Sequence, residues 1–382
     1  MEIAEDIESL VERLETATKQ LKKAKSKEER AALGNYIYNI YEAIGVIAHI
    51  PIYTTEKNVF GSHKNYRKFY KKAFIDDDRI LKNFFENKPY HQWLIGNIIH
   101  DVSGPLDKVV ENRYGFNEHF SKSEFLEIFN EFLKELRLGK EFDKFIKNVG
   151  IYSYDTELKP DCGGYMLHNP VNRDTDVFVG DLEYNVSSLC TLVHEFGHVY
   201  DFSKFDGDIL EYNKFLHQSF YLEVPSKLFE RLLMEYLINN DIYAGDAKDE
   251  LVRIKYNGYS TLIASYVATL LDYEMLKKHK QDKYSMEYIY SLIKDSFEET
   301  VMYLLDEVGT LDVRDNYIYA YGDIISMFIK DMIDKYGFDN DMLLEMFDRR
   351  DEIFSREFLD KYEVSPEKYS EGYQKELKLL QK

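Results

Sequence analysis

The chain has 382 residues, 45% of them hydrophobic, with 32 Tyr and 25 Phe, which excludes a disordered polypeptide and provides for two or three packed units. Its formal net charge of −20 argues against a phosphate backbone or an anionic membrane, so neither nucleic acid nor membrane is expected as a partner. The same field attracts cationic peptides.

The first residues, Met1-Glu2-Ile3-Ala4-Glu5-Asp6, lack the basic start and apolar core of a signal peptide. No run of 18 apolar residues follows, so a cytoplasmic location is expected. Ile3, Ile7, Leu10, Leu14, Ala17 and Leu21 alternate at spacings of four and three, which predicts an amphipathic helix with heptad character. A second helix is expected over Glu29–Ile47, stopped before Pro51. Three heptads and a short break favour an intramolecular hairpin over a dimerising coiled coil. The lysine-rich turn within Lys22–Arg30 reads as a solvated face.

From Lys64 to Asn148 the pattern stays helical, with breaks expected at Pro89, Gly104-Pro105 and Gly115. His91, His100 and His119 stand at no ligand spacing and read as packing or surface residues. The best boundary is Ser153–Asp161, which divides the chain into an N-terminal helical lobe, 1–155, and a second lobe, 156–382. Beyond it Gly164-Tyr165-Met166-Leu167-His168, a polar turn and Val177-Phe178-Val179 read as a β-hairpin. A sheet edge there can hold a peptide as an added strand. Gly163 and Gly164 permit close backbone approach, and an ordinary turn explains them equally well. The two cysteines, Cys162 and Cys190, lack C-x-x-C spacing, which suggests a reducing compartment and buried structural roles.

Thr191 to Tyr200 reads as one helix, because Leu189, Leu192, Val193, Phe196 and Val199 recur at helical spacing. His194 and His198 are four apart, so both imidazoles share a face, as two ligands of one zinc ion require. Glu195 stands beside them as a base for the nucleophilic water. A third ligand is needed. Asp201 and Lys204 occupy the positions where one common zinc pattern places a glycine and a third histidine, which leaves a glutamate on a following helix. Glu223 follows His198 after 24 intervening residues, enough for a helix end, a turn and a second helix. His217 is a rival on spacing alone. Asp206-Gly207-Asp208 lacks the full calcium-loop pattern and reads as a turn.

In His-Glu-Phe-Gly-His at 194–198 and Glu-Val-Pro-Ser-Lys-Leu-Phe-Glu at 223–230 the sequence resembles the oligoendopeptidase F and thimet oligopeptidase family of zinc peptidases. The likeness spans about Asp161 to Phe328, with a weaker echo at Gly163-Gly164-Tyr165. It implies a mainly α fold, with a small β-sheet flanking a deep active-site cleft, and makes 156–382 the catalytic lobe. The implied activity is zinc-dependent cleavage of internal bonds in short peptides. One zinc ion would be held by His194, His198 and Glu223, with Glu195 as general base. The family also sets a Tyr-x-Tyr-x-Tyr stretch against its zinc. Tyr317-Ile318-Tyr319-Ala320-Tyr321-Gly322 is comparable, which implies an oxyanion donor in Tyr319 or Tyr321. Core packing accounts for the three tyrosines without it. Glu230, seven residues after Glu223, either steadies a ligating histidine or is an exposed carboxylate.

Two departures stand out. Asp201 replaces the family's histidine three residues past the second ligand, and the expected loop Gly309–Asn316 contains no histidine. Arg314 is the nearest cation there, suited to an oxyanion or a peptide carboxylate. Family members are often longer, which implies a reduced N-terminal lobe here. The alternatives are a dipeptidyl carboxypeptidase-like zinc exopeptidase and a non-catalytic zinc-binding helical module. Glu195 argues against the second, since a structural zinc has no use for a base.

Overall fold

The computed structural model describes residues 8–47, 88–110, 118–155, 163–169, 171, 174–204, 221–270, 313–337, 341, 343, 345 and 356–381. In chain order the elements are α1 (Glu8–Lys23), α2 (Lys27–Ile47), α3 (Lys88–Val110), α4 (Lys122–Glu135), α5 (Lys140–Phe145), β1 (Val149–Tyr154), β2 (Gly164–His168) and β3 (Thr175–Gly180). There follow α6 (Val186–Lys204), α7 (Val224–Asn239), α8 (Ala244–Leu270), α9 (Val313–Tyr336), α10 (Arg356–Lys361) and α11 (Pro366–Leu379). The described chain is thus mostly helical, with one three-stranded sheet. It divides into two compact units, one of Met1–Asp77 with Asn117–Ser219 and one of Asp78–Phe116 with Phe220–Lys382.

In the first unit α1 packs on α2, the expected hairpin, with Leu10 and Ala17 fully buried. The sheet runs β1-β3-β2, with β2 antiparallel and β1 parallel to β3. The β2–β3 hairpin is the one the sequence predicts. The strand β1 was not expected, and it pairs across the boundary suggested at Ser153–Asp161, so residues on both sides of it belong to one sheet. Tyr152 and Tyr165 lie opposite Phe178 on its two flanks and stack on it, with ring centroids 5.0 and 4.6 Å away. These rings join Leu10, Tyr36 and Ile40 in one apolar cluster beneath the hairpin. Asp176, buried on the same strand, pairs with Arg13 of α1 at 3.1 Å. Gly150 lies opposite Asp176, where a Cβ would stand 2.5 Å from the carboxylate, so this pair requires a glycine there.

In the second unit α3 packs on α8 and α11, and α7 packs on α8 and α9. Pro89 falls in the first turn of α3, where its missing N–H costs nothing. The helix then runs on through Gly104-Pro105, where the sequence predicts a break. Full burial of Leu94, Ile95, Ile98, Ile99 and Val102 outweighs a local proline cost of about 3 kcal/mol.

The centre of this unit is ionic. The Arg231 guanidinium of α7 donates to Glu376 of α11 at 2.6 Å and to Ser326 of α9 at 3.2 Å, and it also pairs with Asp323 of α9. Lys255 of α8 pairs with Glu376, and the Tyr369 phenol of α11 donates to Asp323. All six side chains are buried. The network ties α7, α8, α9 and α11 together by charge.

The Asp206-Gly207-Asp208 turn, His217 and Cys162 lie outside the described residues, as do the side chains of Arg314 and Tyr317.

Candidate metal centre

The helix α6 begins after Asn185, whose side chain accepts from the Ser188 N–H at 2.8 Å while its carbonyl accepts from Leu189, an ordinary N-cap. Leu189, Leu192, Val193, Phe196 and Val199, the stripe predicted from spacing, are all fully buried. They hold α6 against β2, β3, α4 and α5, with Phe196 meeting the edge of Phe129 at 4.8 Å. At about 1.5–3 kcal/mol per side chain this burial fixes the rotation of the helix about its axis. His194 and His198 are left half-buried one turn apart, ring centroids 5.0 Å apart and planes at 82°. Cys190 is buried in the same helix, as expected.

Glu195 is buried, and the reason lies in β2. A Cβ on Gly164 would stand 2.8 Å from Glu195 Oε1 and 3.1 Å from Cγ, so this glycine makes room for the carboxylate. A Cβ on Gly163 would meet nothing within 4 Å, so the close approach belongs to Gly164 alone.

Glu223 is the residue immediately before α7, with φ −86° and ψ −7°, and its buried carboxylate forms no side-chain cap. Pro225 falls in the first helical turn, without a kink. Across from Glu223 stands Gly322 of α9, whose notional Cβ would be 2.5 Å from Glu223 Cβ. Lys227 Nζ lies 3.2 Å from Glu230, which is buried and not the exposed carboxylate of the alternative reading. Burial opposes the charge on Lys227, but Glu230, Glu223 and Asp323 outweigh it and raise its pKa.

In the first unit His194 and His198 offer two imidazoles one turn apart on α6, and in the second Glu223 offers a buried carboxylate. Zinc bonds of about 2.0–2.2 Å in a tetrahedron space their ligands roughly 3.3–3.6 Å apart, which two imidazoles one helical turn apart can meet. Two imidazoles and one carboxylate are a donor set that suits zinc.

The tyrosines sit on a helix, α9, which begins at Val313 inside the loop expected over Gly309–Asn316. Tyr321 is fully buried and hydrogen-bonds His91 Nδ1, and burial raises its pKa far above the usual phenol value. Burial also lowers His91 to about 3, so it is a neutral packing histidine. Tyr319 is 43% exposed. It precedes Gly322 by three residues and so shares the helix face that meets Glu223. His100 and His119 are exposed, His119 Nδ1 lying 2.9 Å from the Glu183 carbonyl oxygen. Asp201 is buried at the end of α6 beside Tyr200, whose phenol is raised by burial and then by that carboxylate.

Sequence reasoning did not single out Gly322, Asp323 or Arg231. Only the proximity of Gly322 to the tyrosine run could have drawn attention to it. No protein family, no curated protein and no solved structure matches the chain.

Proposed function

We propose that the chain is a zinc-dependent endopeptidase that hydrolyses internal bonds of short peptides. The observation that carries this reading is the pair His194 and His198 one turn apart on α6, with the buried Glu195 adjacent to the first, and the proposal assigns Glu223 as the third ligand. The proposal includes a helical zinc-peptidase fold with a deep active-site cleft and the likeness of residues 194–198 and 223–230 to oligoendopeptidases. Mostly helical structure with one small sheet is consistent with it. Zinc, when bound, supplies Lewis acidity toward the scissile carbonyl and lowers the pKa of water.

This chain's own residues do the rest. Glu195 takes a proton from the attacking water and passes it to the leaving amine. Its low exposure lets it hold that proton away from bulk solvent. Tyr319 is the better placed oxyanion donor, because Tyr321 already engages His91 in the core. A substrate running along β2, outermost in the order β1-β3-β2, passes Glu195 at Gly164.

The test is digestion of a mixed internally quenched peptide library by zinc-loaded protein, with mass spectrometry locating the cuts. Internal cuts, abolished by chelation and restored by zinc, are the expected result. Cuts confined to C-terminal residues point to the exopeptidase. One bound zinc without cleavage makes the chain a non-catalytic zinc-binding module and overturns the proposal.

A related expectation concerns β2. Gly164→Ala should displace the Glu195 carboxylate and cut kcat by up to about 10²-fold, the scale of a misplaced catalytic group. Gly163→Ala, with open space around it, should leave kcat near wild type. Equal kcat values for the two variants would detach Gly164 from the base.

A further inference from the structure

We propose that Gly322 and Asp323 are positioning residues that set Glu223 as a metal ligand, an inference that rests on the zinc reading above. The contact at Gly322 is unusual in which atoms it meets. A Cβ there would lie 2.5 Å from Glu223 Cβ, 3.2 Å from its carbonyl carbon and 3.3 Å from its carbonyl oxygen. These atoms are the root of the side chain and the backbone, so no rotamer change relieves the overlap. Any side chain at 322 must move α9 or the Glu223 backbone itself.

The next residue explains why α9 sits so close. Asp323 is bound by Arg231, eight residues beyond Glu223 on α7, a distance of about 12 Å along the helix. Ser326, a turn later on α9, accepts from the same guanidinium at 3.2 Å. The carboxylate of Asp323 also presses on Gly258 of α8, where a Cβ would stand 3.0 Å from Oδ1. The helices α7 and α9 are therefore fixed at two points, a buried charge pair at Arg231 and a side-chain-free contact at Glu223. Glu223 precedes the regular helix, and its carbonyl accepts from the Lys227 N–H at 2.9 Å, so its backbone is the root from which the carboxylate is aimed. A metal ligand has to be held to about 0.5 Å, and here the facing helix backbone does the holding.

The test measures zinc affinity by chelator competition, and the visible absorption of the cobalt-substituted protein, in four variants. Gly322→Ala should weaken zinc by roughly 10–100-fold, as loss of a ligand's outer support does, and shift the cobalt bands. Asp323→Asn, which keeps the shape and weakens the Arg231 pair, should act in the same direction and stands in should Gly322→Ala fail to fold. Gly372→Ala is the control. Its Cβ meets Met327 of the same α9, 2.8 Å from Sδ, but that flexible side chain can turn aside. Glu223→Gln reports on the ligand itself. Unchanged zinc affinity in Glu223→Gln removes the zinc reading and the inference with it. Weakening in Glu223→Gln without weakening in Gly322→Ala or Asp323→Asn leaves the zinc reading intact and overturns the inference. Equal weakening in Gly372→Ala reduces the effect to general loosening of α9 and overturns it too.

Discussion

Zinc-loaded Glu195→Gln is expected to keep its metal and to cleave peptides at least about 10²-fold more slowly than wild type, with the loss in kcat and little change in KM. The amide is nearly isosteric, so it fits the space that Gly164 leaves beside β2. What it cannot do is accept a proton from water. His194 and His198 are not altered, so zinc content by elemental analysis should remain one per chain. A general base matters only as the proton moves, which places the loss in the chemical step and not in substrate binding. Equal rates for variant and wild type would mean that another group takes the proton, and the mechanism proposed above would then be wrong.

Arg231→Ala is expected to destabilise the second unit by about 3–5 kcal/mol, the scale of breaking a buried ion pair from one side. The substitution leaves Asp323 and Glu376, both buried, without their guanidinium, and burial lowers the pKa of Lys255, the remaining partner of Glu376. Urea unfolding read by far-UV circular dichroism checks the value. Arg231→Met combined with Asp323→Asn removes one charge of each sign and should recover part of the loss, since it is the uncompensated charge that costs most. A cost below about 1 kcal/mol for Arg231→Ala, as for a solvent-exposed pair, would show that water reaches the cluster. Because Glu223 immediately precedes α7, the helix that carries Arg231, zinc affinity should fall alongside stability.

The features that could be read in advance were those written into neighbouring residues. The buried stripe of α6 follows from its i, i+3, i+4 spacing, and the same spacing leaves the two histidines together on another face. The β2–β3 hairpin is likewise local. The strand β1 was missed because its partner is parallel and more than 20 residues away, and its six residues follow directly on a helical stretch. The Tyr-x-Tyr-x-Tyr run is a third case. Its two-residue period says nothing of which ring faces the site until α9 is known to be a helix, and then Tyr319 and Tyr321 fall on different faces. Arg231, Asp323 and Glu376 look like solvated charges in any sequence, since their partners are 92 and 145 residues away. Gly322 is silent for the same reason, with its neighbour Glu223 about 100 residues earlier, just before α7.

The pairing of α3 with α11 has a consequence for synthesis of the chain. The helix α3 ends at Val110 and α11 ends at Leu379, so the ribosome adds about 270 residues between them. At about 5–20 residues per second, α3 waits roughly 15–50 s for its last packing partner. Throughout that interval its stripe of Leu94, Ile95, Ile98, Ile99 and Val102 lacks part of its native cover. Translation stopped short of residue 366 would leave α3 covered by α8 but without α11.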